Sequence, residues 1–308
     1  MNTLKVITYN VDGIPQSIDL NDLPWVLKPI AWIYKLIKKT TIIPINSTGD
    51  RKNDTLRLSE GLSKLNPDIV GVQEDFNYHE ELMSSLSSYK SGTVKGGFNP
   101  KKIFSSIDWF SSFPYPRFKT DGLNILIKPK LNIASEEIIK WNKSSGYFKR
   151  YNDKVAKKGF RRYTLNITST FSLDLYVLHM DAGSDEKDIK AKGAQLRQLS
   201  EYIIDRYKVE SVPAIIIGDF NSTPNNENDV ENMKSYFMDM VNVPTYLTMQ
   251  EAVPSNGHSI DRIFYINNTF SSFKIEPSKC SYDYSFKGMS DHCPVIAEFT
   301  CKRIQYGL

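Results

Sequence analysis

Residues able to do chemistry sit at the ends of the most apolar runs in this chain, and that placement limits what it can fold into. Residues 4–8 run into Tyr9-Asn10, residues 69–72 into Gln73-Glu74-Asp75, and residues 212–217 into Gly218-Asp219-Phe220-Asn221. Near the C-terminus, Met289-Ser290-Asp291-His292-Cys293-Pro294 stands just ahead of the β-branched pair Val295-Ile296. Runs this short and this rich in Val and Ile read as buried strands. Rigid strands that hold polar side chains at one edge are how an α/β hydrolytic site is assembled.

The periodicity predicts strands over residues 4–9, 68–73, 122–128, 162–168, 174–179, 214–218, 260–265 and 295–299. Helices are predicted over 55–65, 78–86 and 188–207. Many strands with few helices between them point to two packed sheets flanked by helices. Nothing resembling a repeat or a Pro/Gly-rich linker divides residues 1–308, so one catalytic domain is expected. No apolar stretch reaches the roughly 18 residues of a membrane span, and the first strand starts too early to leave room for a signal peptide. Three cysteines (Cys280, Cys293 and Cys301) lack metal-type spacing and fit a reduced protein, so a cytoplasmic location is expected.

Two stretches interrupt the pattern. An apolar insertion at about residues 20–45 contains the run from Trp25 to Ile37, with lysines at its end. An aromatic loop from Phe104 to Phe118 includes Trp109, Phe110, Phe113 and Tyr115 around two prolines. Each reads as a segment packed on the body or as a contact with a membrane surface. Between Lys128 and Arg162 eleven Lys/Arg face three acids, a local charge of +8, so the rest of the chain sums to −4 within a net charge of +4. That stretch reads either as a solvated surface or as an electropositive rim for a phosphate-bearing substrate.

The strand-end residues divide by chemistry. If the chain stays extended after Gly218, Asp219 and Asn221 point to one side and can hold a water and a phosphoryl oxygen, with Phe220 turned into the core. Glu74 and Asn10 offer the hard oxygen ligands that Mg²⁺ prefers, while zinc lacks a His or Cys pair at ligand spacing. Asp291 either completes that metal shell or orients its neighbour. His179 and His292 are candidate proton carriers, with Asp261 placed to hold His292 in one tautomer. His79 and His258 read as surface or loop residues.

Taken together, Tyr9-Asn10, Gln73-Glu74, Gly218-Asp219-Phe220-Asn221, Ile260-Asp261 and Ser290-Asp291-His292 follow the order and approximate spacing of the endonuclease/exonuclease/phosphatase superfamily, which the chain resembles over nearly its whole length. The resemblance implies a four-layered α/β/β/α sandwich with two packed mixed sheets, dependence on Mg²⁺ (with Mn²⁺ as a substitute) and hydrolysis of a phosphoester. By motif, Asn10 and Glu74 would serve the metal, Asp219 and Asn221 the water and phosphate, and Asp261 with His292 an acid–histidine dyad. His179 stands where the sphingomyelinase and pancreatic-type deoxyribonuclease branches place a histidine beside the scissile phosphate. Ser222-Thr223-Pro224 after Asn221 and Ile260 before Asp261 depart from the inositol polyphosphate 5-phosphatase pattern.

Lys157-Lys158-Gly159-Phe160 resembles the Lys-Gly-Phe region of neutral sphingomyelinases. Thr8-Tyr9-Asn10-Val11-Asp12-Gly13 and Asp261-Arg262-Ile263-Phe264 look closer to the tyrosyl-DNA phosphodiesterase branch. The two greasy stretches favour a phospholipid substrate, with a nuclease or DNA-end phosphodiesterase as the alternative. A monomer is expected. A binding module that had lost catalysis would show eroded motif positions, and none is eroded.

Overall fold

Alternation of side chains along each strand sorts the apolar residues into two cores, and the layers follow from that sorting. The computed structural model describes residues 2–14, 17–19, 28–40, 42–44, 50–93, 107–108, 117–118, 120–145, 156–222, 246–257 and 260–304. The chain opens with β1 (Asn2–Asn10), β2 (Ser17–Asp19), α1 (Lys28–Lys38) and β3 (Ile42–Pro44). It continues through α2 (Arg51–Leu65), β4 (Ile69–Gln73), α3 (His79–Met83) and β5 (Lys90–Ser91). Short β6 (Ile107–Asp108) and β7 (Arg117–Phe118) precede β8 (Asn124–Ile127), β9 (Asn132–Lys140), β10 (Gly159–Asn166) and β11 (Ser172–His179). The last part comprises α4 (Glu186–Tyr207), β12 (Ala214–Asp219), β13 (Leu247–Glu251), β14 (Asp261–Asn268), β15 (Phe273–Tyr282) and β16 (Val295–Arg303).

One six-stranded mixed sheet has the order β15-β16-β1-β4-β8-β5, and the other has β13-β14-β12-β11-β10-β9. Leu4, Val6, Ile69 and Ile125 of the first sheet pack against Tyr163, Leu175, Val177, Ile215 and Ile217 of the second. The alternate residues of the first sheet, among them Ile7, Val70 and Val72, meet Leu58 and Leu62 of α2 and Leu82 of α3. Those of the second sheet, among them Tyr176, Leu178 and Ile216, meet Leu196, Leu199 and Ile203 of α4. The result is the four-layered α/β/β/α sandwich.

All eight expected strands are present, with ends shifted by a few residues. The longer strands absent from the sequence reading, β9, β13 and β15, all lie at sheet edges. An edge strand exposes much of its length and so lacks a continuous apolar run. β9 carries Glu136-Glu137, and β15 carries Pro277 at a register irregularity, which is where proline is tolerated in a sheet. Helix α2 begins at Arg51, four residues before its expected start, because the Asp50 side chain accepts from the Asn53 N–H and caps the first turn.

The excursion at residues 20–45 contains α1, and antiparallel pairing of β2 with β3 joins its two ends. Of the aromatic loop, only the backbones of β6 and β7 lie within the described residues; Trp109, Phe110, Phe113 and Tyr115 lie outside them, as does His258. Among the described residues no helix is long and apolar enough to cross a membrane.

The two sheets approach closely where β4 carries Gly71. A Cβ there would lie 2.3 Å from Ile217 Cδ1 and 3.2 Å from Val177 Cγ2. Interiors this dense accommodate an added side chain only by shifting backbone or rotamers. Gly71→Val is therefore expected to destabilise the fold by about 1–3 kcal/mol, read as a lower urea midpoint. An unchanged midpoint would show that the sheets are not closely packed at this point.

Candidate active site

Strand register gathers the polar residues along one edge of the sandwich. In the second sheet His179 lies opposite Asp219 on the parallel β11–β12 ladder, and Asp219 lies opposite Asp261 on the antiparallel β12–β14 ladder. In the first sheet Asn10 pairs with Gln73, so that Glu74 emerges just beyond β4. The Ser290-Asp291-His292 loop is tied to β1: Ser290 Oγ donates to the Asn10 carbonyl at 2.8 Å and accepts from the His292 N–H at 3.1 Å. Phe286, just upstream, meets Tyr9 edge-on with ring centroids 5.5 Å apart.

Asp219 is the hub. Its Oδ2 accepts from Asn10 Nδ2 at 3.2 Å, and it lies 3.4 Å from His179 Nε2 and 3.8 Å from His292 Nε2. Asn10 Nδ2 also reaches Glu74 Oε1 at 3.3 Å, and His179 Nε2 is 3.9 Å from the same oxygen. His292 Nδ1 and Asp261 Oδ2 are 2.6 Å apart. His179, Asp219 and Asp261 are buried. Asp291 is at the exposed rim, with Oδ1 3.8 Å from His292 Nε2. Every residue expected from the sequence is thus at this edge.

Two geometric expectations change. The chain does not stay extended past Asp219, because Asn221 takes a left-handed conformation with φ 50° and its N–H donates to Asp219 Oδ1 at 2.8 Å. Asn221 Nδ2 donates to the Met180 carbonyl at 2.9 Å, which makes it a clamp between the ends of β11 and β12. Phe220 is buried as expected. Asn10 turns its nitrogen, not its oxygen, toward the carboxylates, since Oδ1 accepts from the Asp12 N–H at 3.0 Å. To serve as an oxygen ligand, the amide would have to turn over.

His79 is not a simple surface residue either: its Nδ1 lies 2.6 Å from Asp75 Oδ2, which also accepts from Asn124. Nor do the described cations of residues 128–162 all share one rim. Lys128 and Lys130 pair with Asp68 at the opposite end of β4. Arg161 is buried against Asp121 and Glu136, and Arg162 against Glu137 and Asp174. Lysine rims stay hydrated, whereas these two arginines are consumed inside the fold.

Sequence reasoning also missed Lys158 as a site residue, having counted it with the basic surface. It is buried, its Nζ donates to the Met180 carbonyl at 3.0 Å, and its charge acts on Glu74, Asp219 and His179. The Asp12–Arg51 ion pair is a second missed feature beside the site. Asp12, Glu74 and Asn221 take left-handed backbone, which Asp and Asn adopt more readily than other side-chain-bearing residues and Glu does not. Such strain persists where the surroundings enforce it and commonly marks a working site.

Electrostatics separate the two histidines. Burial, reinforced by Lys158 and His292, pushes His179 well below the usual imidazole range, so its ring is neutral. Burial also opposes the charge on His292, but Asp261 and then Asp219 and Asp291 outweigh it and raise the pKa to about 11. Burial raises Glu74; burial and Asp261 raise Asp219 to about 6; burial, Asp291 and Glu74 raise Asp12 to about 7. Carboxylates crowded beyond the local supply of cations hold protons in this way.

That excess is the test for a metal, and the residues fit one. Glu74, Asp219 and Asp291 provide carboxylate oxygens at the site edge, the donor type that Mg²⁺ takes. Asp219, Asp261 and His292 also bring ligand atoms within 4.8 Å of one another, but Asp261 and His292 already satisfy each other. None of the three cysteines forms a disulfide, and Cys280 and Cys301 are buried in the core between the sheets.

The fold is similar to that of sphingomyelinase C from Streptomyces griseocarneus, at 16% identity and a TM-score of 0.60, covering 97% of this chain and 99% of that one. A beta toxin double mutant from Staphylococcus aureus with bound magnesium ions is similar at 14% identity and a TM-score of 0.59, over 96% of this chain and 99% of that one. D. rerio TDP2 complexed with a single-strand DNA product is similar at 15% identity and a TM-score of 0.58, over 97% of this chain and all of that one. No curated protein matches the sequence significantly. The model of the endonuclease/exonuclease/phosphatase family matches residues 7–292, and the chain belongs to that family.

Proposed function

We propose that this protein is a Mg²⁺-dependent phosphodiesterase, one catalytic domain with an insertion, that uses water to cleave a phospholipid headgroup ester. The observation that carries the reading is the convergence of Asn10, His179 and His292 on one carboxylate oxygen of Asp219. Members of this family are hydrolases acting on phosphoesters. Glu74, with Asp291 and a turned Asn10 oxygen, would hold the metal. When bound, Mg²⁺ (or Mn²⁺) supplies charge neutralisation at the phosphoryl and leaving oxygens.

The side chains do the rest. Asp219, a carboxylate whose proton affinity is raised toward neutrality, orients the attacking water and takes its proton. Asn10 and Asn221 fix Asp219 from opposite sides. The water oxygen forms a new bond to phosphorus as the ester P–O bond breaks. His179 stays neutral and is a hydrogen-bonding partner for a phosphoryl oxygen. Protonated His292 faces the developing negative charge and can pass its proton to the leaving oxygen, while Asp261 holds the ring.

The lipid preference rests on what surrounds the site. Of the basic residues described between Lys128 and Arg162, Arg161 and Arg162 are internal and Lys128 and Lys130 lie at the far end of the molecule from the site. Likeness to a sphingomyelinase C supports the same choice. Likeness to TDP2 bound to a DNA product supports DNA-end cleavage as the second reading.

Asp219→Ala and His292→Ala are each expected to lower turnover of bis-p-nitrophenyl phosphate by about 10²–10⁴-fold, and EDTA should abolish it until Mg²⁺ or Mn²⁺ is restored. Metal-independent turnover, or full activity in either variant, would sink the mechanism. Phosphocholine release from sphingomyelin, set beside nicking of plasmid and tyrosine release from a 5′-tyrosyl oligonucleotide, decides among the substrates.

Glu74→Gln keeps the shape and removes the charge. It should weaken Mg²⁺ binding at least about tenfold while leaving metal-free stability unchanged or higher, because burial already disfavours the carboxylate. Calorimetric titration with unchanged affinity would remove Glu74 from the metal shell.

The dyad makes a pH prediction. In the metal-free protein His292 should remain protonated through neutral pH, since Asp261 raises it to about 11. In Asp261→Asn the same burial acts with less opposition, so the ring should lose its proton at much lower pH. Histidine side-chain nitrogen NMR across a pH series reads this directly, and identical titration in both proteins would refute the dyad's electrostatic role.

A further inference from the structure

Helix α1 is amphipathic in the opposite sense to an ordinary surface helix. Trp32, Ile33, Leu36 and Ile37 are 64%, 51%, 59% and 70% exposed, whereas Ala31 is buried. At 100° per residue, the four large apolar side chains span an arc of roughly 140°, and Ala31 lies roughly opposite its centre. The apolar face therefore points away from the body. Single exposed apolar residues are ordinary, but four on one face of a short helix form a contact patch.

The charges around this patch are of one sign. Lys28, Lys35, Lys38 and Lys39 are the charged residues between Asp22 and Asp50. On the helical wheel Lys28 and Lys35 border the patch on the Trp32 side. A cationic border beside an exposed apolar stripe with a tryptophan complements an anionic lipid surface, where rings sit at headgroup depth and lysines meet phosphates.

The excursion that carries α1 is anchored beside the candidate active site. It departs after Asp12 and Gly13, which adjoin Glu74, and returns at Arg51, which pairs with Asp12. Pairing of β2 with β3 closes its base.

We propose that α1 is an interfacial anchor that seats the protein on anionic phospholipid bilayers. The anchoring goes beyond the catalytic reading and does not require the hydrolysed diester to be a lipid.

The test is co-sedimentation of the full chain with phosphatidylcholine vesicles, with and without phosphatidylglycerol, at low and high salt. Binding should require phosphatidylglycerol and weaken with salt. It should also fall at least about tenfold in Trp32→Ser/Ile37→Ser and in Lys28→Glu/Lys35→Glu. Both variants should keep the far-ultraviolet circular dichroism and the bis-p-nitrophenyl phosphate turnover of the parent protein. Absence of vesicle binding, or undiminished binding by Trp32→Ser/Ile37→Ser, would overturn the anchor. Vesicle-free dimerisation abolished by that same variant would also overturn it and give the face to a second copy of the chain. Lost vesicle binding with intact turnover refutes only the anchor, whereas vesicle binding by a protein without metal-dependent turnover refutes only the catalytic reading.

Discussion

The candidate site is divided between two sheets, so everything in it depends on how closely those sheets pack. Asn10 and Glu74 come from the first sheet, and His179, Asp219 and Asp261 from the second. Hydrogen-bond ladders fix the residues within each sheet, whereas side-chain packing and a few polar contacts, Asn10–Asp219 and Arg161–Asp121 among them, fix one sheet against the other. Gly71 beneath Ile217 and Val177 sets that spacing, and Asn10 then spans the gap between Glu74 and Asp219. Within the second sheet Gly218, at φ 154°, allows β12 to lie close against β11: a Cβ there would fall 2.1 Å from the Leu178 carbonyl oxygen. Two missing side chains thus let β4, β11 and β12 present their ends at a common edge.

Bringing these ends together concentrates negative charge where water is scarce. Burial raises the proton affinity of Glu74, Asp219 and Asp12. Lys158 and Arg51 offset part of the cost, and His292 becomes a cation because Asp261 is directly behind it. A divalent ion would offset the remaining excess, and its binding would displace protons and so strengthen as pH rises through the carboxylate range. The same charge balance that disfavours the metal-free site is what a bound cation would relieve, while burial, with Lys158 and His292, keeps His179 neutral a short distance from a charged His292.

The central strands and the site residues were legible in the sequence for one reason: buried strands are continuous apolar runs, and a polar residue that interrupts such a run stands out. Asp219 after residues 214–218 and Glu74 after residues 69–73 are the plainest cases. Edge strands β9, β13 and β15 lack that contrast. Charge was the least legible feature. Arg161, Arg162 and Lys158 look like surface residues in a lysine-rich stretch, yet their partners Asp121, Asp174 and the Met180 carbonyl come from elsewhere in the chain. The conformation of Asn221 was hidden too, since a left-handed asparagine and an extended one are spelled alike; only its hydrogen bonds to Asp219 and Met180 distinguish them.

A phosphodiester is the same chemical centre in a lipid and in a nucleic acid, so the residues around Asp219 cannot by themselves select between them. Selection has to come from the surface that meets the rest of the substrate. A nucleic acid rewards a continuous track of cations, because each neutralised phosphate releases counterions. Here internal carboxylates take up Arg161 and Arg162, and Asp68 draws Lys128 and Lys130 to the far end of β4. A bilayer rewards exposed apolar area flanked by a few cations, and the excursion rooted beside Asp12 and Arg51 presents that combination. Arg161 and Arg162 thus tie β10 to Asp121, β9 and β11, and under the proposed reading recognition falls to an element outside the two sheets. In such an arrangement the insertion can change its partner surface without disturbing the register that builds the site.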